Sequence, residues 1–215
     1  MRRAVPRPAA LAGAGLAVAL AGCLYAAAGA ASDGGDGGGG RDGRDGGQAP
    51  GRGSAAVSPM SAAAVVDVDV RPPAPALAGA DLDGKPVGLA EFRGQVVVLN
   101  VWGSWCGPCR AEADDLERLS GQTRAQGVRF LGINTRDRDR AAARSFVRAH
   151  GLGFPSLHDP AGELLLRFPP ALLNPQTIPS TLVIDRRGRI AVSIGGAVTD
   201  EELGPLLTRV AQETS

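Results

Sequence analysis

The stretch VVVLNVWGSWCGPCRAE, Val96 to Glu112, decides how the rest of the chain is read. Its opening run, Val96 to Trp102, is almost continuously apolar and β-branched, the pattern of a central strand buried on both faces. Cys106 and Cys109 follow, with only Gly107 and Pro108 between them. Beyond them CRAEADDLERLSGQTRAQG places Ala113, Leu116 and Leu119 at helical spacing, with Gly127 as a stop. Pro108 is compatible with a helix's first turn, where its missing N–H costs nothing. Two thiols therefore sit where a buried strand hands over to a helix.

That position argues for redox chemistry. A structural zinc site draws four ligands, commonly from two separated Cys/His pairs. Here there is one such pair, and His150 and His158 read as surface or cap residues, so no metal site is expected. A permanent staple closing so short a loop would restrain the unfolded chain very little. At the mouth of a helix, by contrast, free backbone N–H groups and the helix dipole favour an anion. The Cys106 pKa is therefore expected below the free value of about 8.5, giving a reactive thiolate. Cys109, three residues on, lies on the same helical face, within reach of a disulfide. Attack by Cys106 on a partner's disulfide would form a mixed disulfide that Cys109 resolves.

Working outward, RPPAPALAGADLDGKPVGLAEFRGQ carries turn signals at Asp83-Gly84 and Arg93-Gly94 and reads as a small hairpin. After the first helix come a strand from Val128 to Asn134, a helix from Arg138 to His150 and a short strand from Phe154 to Leu157. A brief helix is expected over Ala161 to Phe168, then a Pro-rich loop from Pro169 to Pro179. STLVID and GRIAVSI form a hairpin across Arg186-Arg187-Gly188. A last helix runs from Thr199 to Gln212, with Asp200, Glu201 and Glu202 favourably placed in its first turn. The fold class is α/β: a mixed central sheet with helices on both faces.

WCGPC behind its hydrophobic strand, with Ile178-Pro179-Ser180-Thr181 downstream, resembles the thioredoxin superfamily. NVWGSWCGPCRAE, the hairpin with Asp83-Gly84-Lys85 and Leu89, and the strand-helix segment inserted after Asn134 resemble, more narrowly, the TlpA/ResA-like membrane-tethered thiol:disulfide oxidoreductases. The resemblance spans residues 66 to 213. It implies a thioredoxin-like fold with an N-terminal β-hairpin and a cis peptide bond before Pro179, which would face the disulfide. Only about 5% of X–Pro bonds in folded proteins are cis. Substrate would then meet Trp105, Gly107, Pro108, Ile178 and Pro179, while Trp102, at the strand's end, reads equally as plain core. Thioredoxin itself has a buried aspartate where this chain has Asn100, and Asn cannot titrate. Glu112 matches a glutamate near the active site of TlpA/ResA-like proteins. The resemblance implies that it tunes or accepts the proton of Cys109, beside the plainer reading of a carboxylate stabilising the helix's first turns.

The N-terminus reads as an address. MRRAVPRPAALAGAGLAVALAGC places Arg2, Arg3 and Arg7 before an Ala/Leu/Val-rich run, the layout of a secretory signal. It closes on LAGC, which resembles the bacterial lipobox and would make Cys23 the site of lipid attachment, accounting for the odd cysteine. Apolar residues continue to Ala31, so an uncleaved membrane anchor is the alternative. Arg2-Arg3 is followed by Ala-Val-Pro, a poor twin-arginine match, and leaves the export route open. Residues 1–22 are thus expected to be a lipoprotein signal peptide. Residues 23–65 form a Gly/Asp/Arg-rich tether with little to bury, and 66–215 the thioredoxin-like domain.

A formal net charge of +1, with Arg and acidic residues interleaved, offers no reason to expect nucleic acid or a polybasic membrane surface. The expected protein is an extracytoplasmic, lipid-anchored thiol:disulfide oxidoreductase acting on disulfides of exported proteins. By resemblance it reduces them, including those of cytochrome c maturation, with electrons from a membrane thiol-electron donor. No cofactor beyond the Cys106-Cys109 pair is implied, and a monomer suffices. Two other classes remain. A thiol peroxidase generally has Pro and Thr or Ser ahead of its cysteine, where this chain has Asn-Val-Trp-Gly-Ser-Trp. A copper-binding or scaffold module typically uses CxxxC and a distant His.

Overall fold

A computed structural model of the protein describes residues 62–213. The expected signal peptide, Cys23 and the expected tether up to residue 61 lie outside the described residues. Strand β1 is Ala62–Val65; β2 (Ala78–Ala80) and β3 (Pro86–Gly88) form the separate small hairpin. Then follow β4 (Val96–Trp102), α1 (Gly107–Thr123), β5 (Val128–Thr135), α2 (Arg140–Ala149), β6 (Ser156–Asp159), β7 (Ser180–Ile184), β8 (Ile190–Gly195) and α3 (Asp200–Gln212).

One six-stranded sheet, in the order β1-β8-β7-β4-β5-β6, organises these elements. Strands β4, β5 and β6 run parallel, whereas β7 is antiparallel to both β4 and β8. Every residue of β4 is buried, as its apolar run predicts. Side chains alternate along a strand. Val96, Val98 and Trp102 accordingly enter one core cluster with Leu116, Leu119, Phe130, Phe146 and Leu203. Val97, Leu99 and Val101 enter a second, with Leu131, Ile133, Leu157, Leu165, Leu182 and Ile184. By the same parity Asn100 belongs to the face of Val98 and Trp102, which is the face α1 covers.

All three α-helices contribute buried side chains to the first cluster, among them Leu116 of α1, Phe146 of α2 and Leu207 of α3. The second is closed by the hairpin, through Leu77 and Val87, and by the irregular segment carrying Leu164, Leu165, Phe168 and Leu173. The helices are therefore less evenly shared between the faces than the element order suggests. Over residues 161–168 a single 3-10 turn, Leu165–Arg167, replaces the expected helix. Asp159 takes the N–H groups of Glu163 and Leu164 at 2.9 Å each, and Pro169-Pro170 cuts off any extension.

Two boundaries also move. Strand β6 starts at Ser156 rather than Phe154, because Pro155 cannot donate to a ladder. Strand β1 lies ahead of residue 66, pairing antiparallel with β8 from Ala62↔Gly195 to Val65↔Val192. An Ala-rich run carries little strand propensity, so this edge strand draws its conformation from β8. Trp102 stacks on Phe146 with ring centroids 4.6 Å apart, worth about 1 kcal/mol beyond the area buried. Its indole N–H donates to Ser156 Oγ at 3.1 Å, spanning β5 above Gly132, where a Cβ would fall 2.8 Å from Trp102 Nε1. Glycine at 132 is what lets this core tryptophan reach β6.

Candidate active site

At the C-terminal end of β4 the chain turns through Gly103–Cys106, closed by the Cys106 N–H donating to Gly103 O at 3.1 Å. Helix α1 starts at Gly107 with Cys106 as its N-cap, and Cys106 Sγ accepts from the backbone N–H of Cys109 at 3.1 Å. A helix's first N–H groups have no partner within the helix. Here one of them faces the Cys106 sulfur, as the strand-to-helix pattern predicts. Cys106 and Cys109 form a disulfide, with Cα atoms 5.3 Å apart.

The Ile178–Pro179 peptide bond is cis, and Ile178 O lies 3.8 Å from Cys106 Sγ, so the cis-proline loop does face the disulfide. Both cysteines are buried, at 3% and 2% exposure, whereas Trp105 is 48% exposed and Gly107 and Pro108 are open to solvent. Approach to the sulfur thus runs along the rim made by these three residues and Ile178. Trp105 folds back over Gly103, where a Cβ would sit 2.5 Å from its indole nitrogen, and its N–H donates to Thr135 O at 3.3 Å. Trp102, by contrast, is core.

Behind the disulfide lies a polar group enclosed by apolar residues. The buried stripe of α1 is Cys109, Glu112, Ala113, Leu116, Leu119 and Thr123, so Glu112 points inward and not to water. It is 1% exposed. Asn100 Nδ2 donates to Glu112 Oε1 at 2.8 Å and to Thr181 Oγ1 at 3.1 Å, and the Val198 N–H donates to Glu112 Oε2 at 3.0 Å. Burial pushes the Glu112 carboxyl up to about 7, against the pull of the Asn100 amide and the Val198 N–H, which stabilise the ionised form. The reading of Glu112 as a carboxylate that stabilises the helix's first turns does not describe it: it is buried, the first turn of α1 holds no acidic residue, and among the described residues Glu112 forms no ion pair.

The structure brings together Trp105, Cys106, Gly107, Pro108, Cys109, Ile178 and Pro179, and sets Glu112 one helical turn behind Cys109. Sequence reasoning passes over Asn100 as a partner of Glu112, Thr181, the Val198 N–H, and Ser104 with Asp137. For Asn100 the strand's parity was the available signal; for Val198 there was none, since a backbone N–H is indifferent to residue type. His150 caps the end of α2 and its Nδ1 lies 2.9 Å from Asp114. His158 is half-buried, its pKa lowered by burial and then by Arg140. Among the described residues no helix is long and apolar enough to cross a membrane.

Comparison with known proteins agrees with this geometry. The AhpC/TSA family model matches residues 70–193. The thiol-disulfide oxidoreductase ResA of Bacillus thuringiensis subsp. konkukian is 31% identical over 137 residues, covering 64% of this chain and 76% of that protein. A secreted thiol-disulfide isomerase from Corynebacterium glutamicum superposes with a TM-score of 0.62 at 33% identity, over 70% of this chain and 92% of its own. A DsbF homologue from Corynebacterium diphtheriae superposes with the same score at 31% identity, over 68% and 92% of the two chains. The Cys-Gly-Pro-Cys turn, the cis-proline opposite it and these relatives converge. The chain belongs to the AhpC/TSA family and, within the thioredoxin superfamily, to the ResA/TlpA-like thiol-disulfide oxidoreductases.

Proposed function

We propose that the protein reduces disulfides of exported proteins outside the cytoplasm, held at the membrane through a lipid on Cys23 and recharged by a membrane thiol-electron donor. The observation that carries the chemistry is the sulfur of Cys106 capping α1 opposite cis-Pro179. In the reduced enzyme the Cys106 thiolate attacks one sulfur of a substrate disulfide. A Cys106–substrate disulfide forms and the substrate's other sulfur leaves as a thiolate. Cys109, deprotonated, then attacks Cys106 Sγ, restoring the enzyme disulfide and expelling the second substrate thiolate. Two electrons pass to the substrate.

Glu112 is the proposed acceptor of the Cys109 proton. Its raised pKa, about 7, suits a group that must be ionised before the step and protonated after it. Trp105, Gly107, Pro108 and Ile178 form the proposed substrate rim, with buried Pro179 behind them and the backbone of its loop proposed to offer a short β-like pairing. Substrates of cytochrome c maturation fit this reading by resemblance. The secreted Corynebacterium relative supports an extracytoplasmic site, as does the signal-like N-terminus.

The test is the reduction potential of the Cys106/Cys109 pair in the full-length protein, by equilibration against glutathione and dithiothreitol buffers. A value near about −270 mV makes it a reductase, and one near about −120 mV an oxidant, reversing the direction proposed. A pair that does not titrate, in a protein that instead consumes hydrogen peroxide rapidly, would place it among thiol peroxidases.

A further inference from the structure

Of the four consecutive residues where β5 ends, three hold different parts of the active site and the first, Asn134, holds one of those three. Asn134 Nδ2 donates to Asp137 Oδ2 at 2.6 Å. Thr135 O accepts the Trp105 indole N–H, and the Arg136 guanidinium donates to Pro175 O at 2.8 Å, in the loop that leads to Pro179. Asp137 receives Ser104 twice, the backbone N–H on Oδ2 at 2.9 Å and the hydroxyl on Oδ1 at 2.6 Å. The orientation of the Asn134 amide is set from its other side, where His158 Nδ1 lies 3.2 Å from Oδ1.

Asp137 is 6% exposed, and among the described residues no cation forms an ion pair with it. Its side chain is held by three hydrogen-bond donors, and two of the three belong to Ser104. Arg136 has a φ of 59°, and no other described non-glycine residue has a positive φ. A side chain bearing residue keeps that left-handed conformation only where its surroundings over-determine it, and such positions cluster at functional sites. The turn it makes lets Arg136 reach the proline loop while Asp137 returns to Ser104.

We infer that Asp137 is a positioning residue for the nucleophile, and that the Asn134–Asp137 turn sets the gap between the Cys106 turn and the Ile178–Pro179 loop. Ser104 stands two residues before Cys106, inside the Gly103–Cys106 turn. Held at both its N–H and its hydroxyl, it fixes how that turn presents Cys106 to the first N–H groups of α1. Arg110 completes the hold from outside, donating to Ser104 O. Without the Asp137 carboxylate, Ser104 and Asn134 lose their acceptor in a buried place, and the turn must rearrange to find water. The inference rests on the dithiol reading of Cys106 and Cys109.

The experiment is alkylation of the reduced full-length protein by iodoacetamide as a function of pH, with modification at Cys106 read by mass spectrometry. Thermal unfolding of the oxidised form reports whether each variant folds. Asp137→Ala is expected to slow Cys106 alkylation at neutral pH by about tenfold, because losing the Ser104 anchor raises the titration midpoint and outweighs the removal of a buried negative charge, which alone would lower it. Ser104→Ala gives a smaller shift in the same direction, and Ser104→Thr, which keeps the hydroxyl, restores the wild-type profile. A folded Asp137→Ala protein whose profile superimposes on the wild type overturns the inference. If that variant does not fold, a Ser104→Ala profile identical to wild type overturns it. A wild-type protein alkylated at Cys106 but unable to exchange with glutathione disulfide would remove the functional reading and leave the positioning result to stand separately.

Discussion

Glu112 and Asp185 are both buried carboxylates, tied to the two ends of the same strand: Glu112 shares Asn100 with Thr181, and Asp185 directly follows Ile184. Burial pushes both carboxyls up. For Asp185 the push is outweighed by the backbone N–H of Arg189 and by the Arg189 and Arg71 guanidiniums, which hold it below the usual range. Arg71 Nη1 lies 3.3 Å from it and Arg189 Nη2 2.9 Å. Glu112 has one amide, one backbone N–H and no cation, so burial prevails. What faces a buried carboxylate, more than how deeply it lies, decides whether it is a fixed anchor or a group that can exchange a proton near neutrality.

The anchor should be the costlier one to remove. Asp185→Ala leaves Arg71 buried with Glu213 as its one remaining carboxylate partner beside the Val66 carbonyl, and strands the N–H groups of Arg187 and Arg189. A loss of about 3 kcal/mol in urea unfolding at neutral pH is expected, with the thiol chemistry retained. Because the folded-state pKa of Asp185 is depressed, its contribution is present above the unfolded-chain value of 3.8 and is lost as pH falls through the folded pKa. The gap between wild type and variant should therefore close in acid. A gap that stays constant into acid would remove the ion pair as its source.

Glu112 should behave in the opposite sense. Its folded pKa lies above the unfolded value, so the folded protein binds the extra proton between pH 4.5 and about 7 and is destabilised as pH rises through that window. In the oxidised protein, where the cysteines do not titrate, Glu112→Gln should abolish a fall in stability of up to about 3 kcal/mol across it. Chemical denaturation at several pH values reads the difference between the two slopes, which also cancels the contribution of His158. Parallel slopes would show that Glu112 does not titrate where its burial says it should.

A smaller change sharpens the same contrast. Asn100→Leu removes the amide that stabilises ionised Glu112 and keeps the volume of the site nearly constant. The Glu112 midpoint should move further up, followed by carboxyl NMR in the oxidised protein. A midpoint that stays where it was would mean that the Val198 N–H, not Asn100, governs the site.

The legible parts of this molecule were local. The run Val96 to Trp102 named its own strand because seven buried residues in a row leave no solvent face to disguise it. The acidic run Asp200, Glu201 and Glu202 marked the first turn of α3, and the structure adds a reciprocal cap there, the Thr199 hydroxyl taking the Glu202 N–H and the Glu202 carboxylate the Thr199 N–H. Residues 161–168 misled because Leu164, Leu165 and Phe168 have helical spacing yet serve a core reached by an irregular path. Strand β1 was invisible because alanines pair there only in response to β8.

From the sequence by itself came a dithiol at a strand-to-helix junction and an Ile-Pro loop to stand against it. Both are written in neighbouring residues, through periodicity, turn chemistry and the spacing of two cysteines. Tertiary structure alone decided the character of the groups around them. The bond that holds Glu112 to Val198 spans 86 residues, and the bond that holds Ser104 to Asp137 spans 33. Such pairings depend on sheet order, strand parity and the exit angle of a loop, which arise only when distant segments pack. A carboxylate's charge state follows from that packing, because it is set by the water excluded and the donors left facing it.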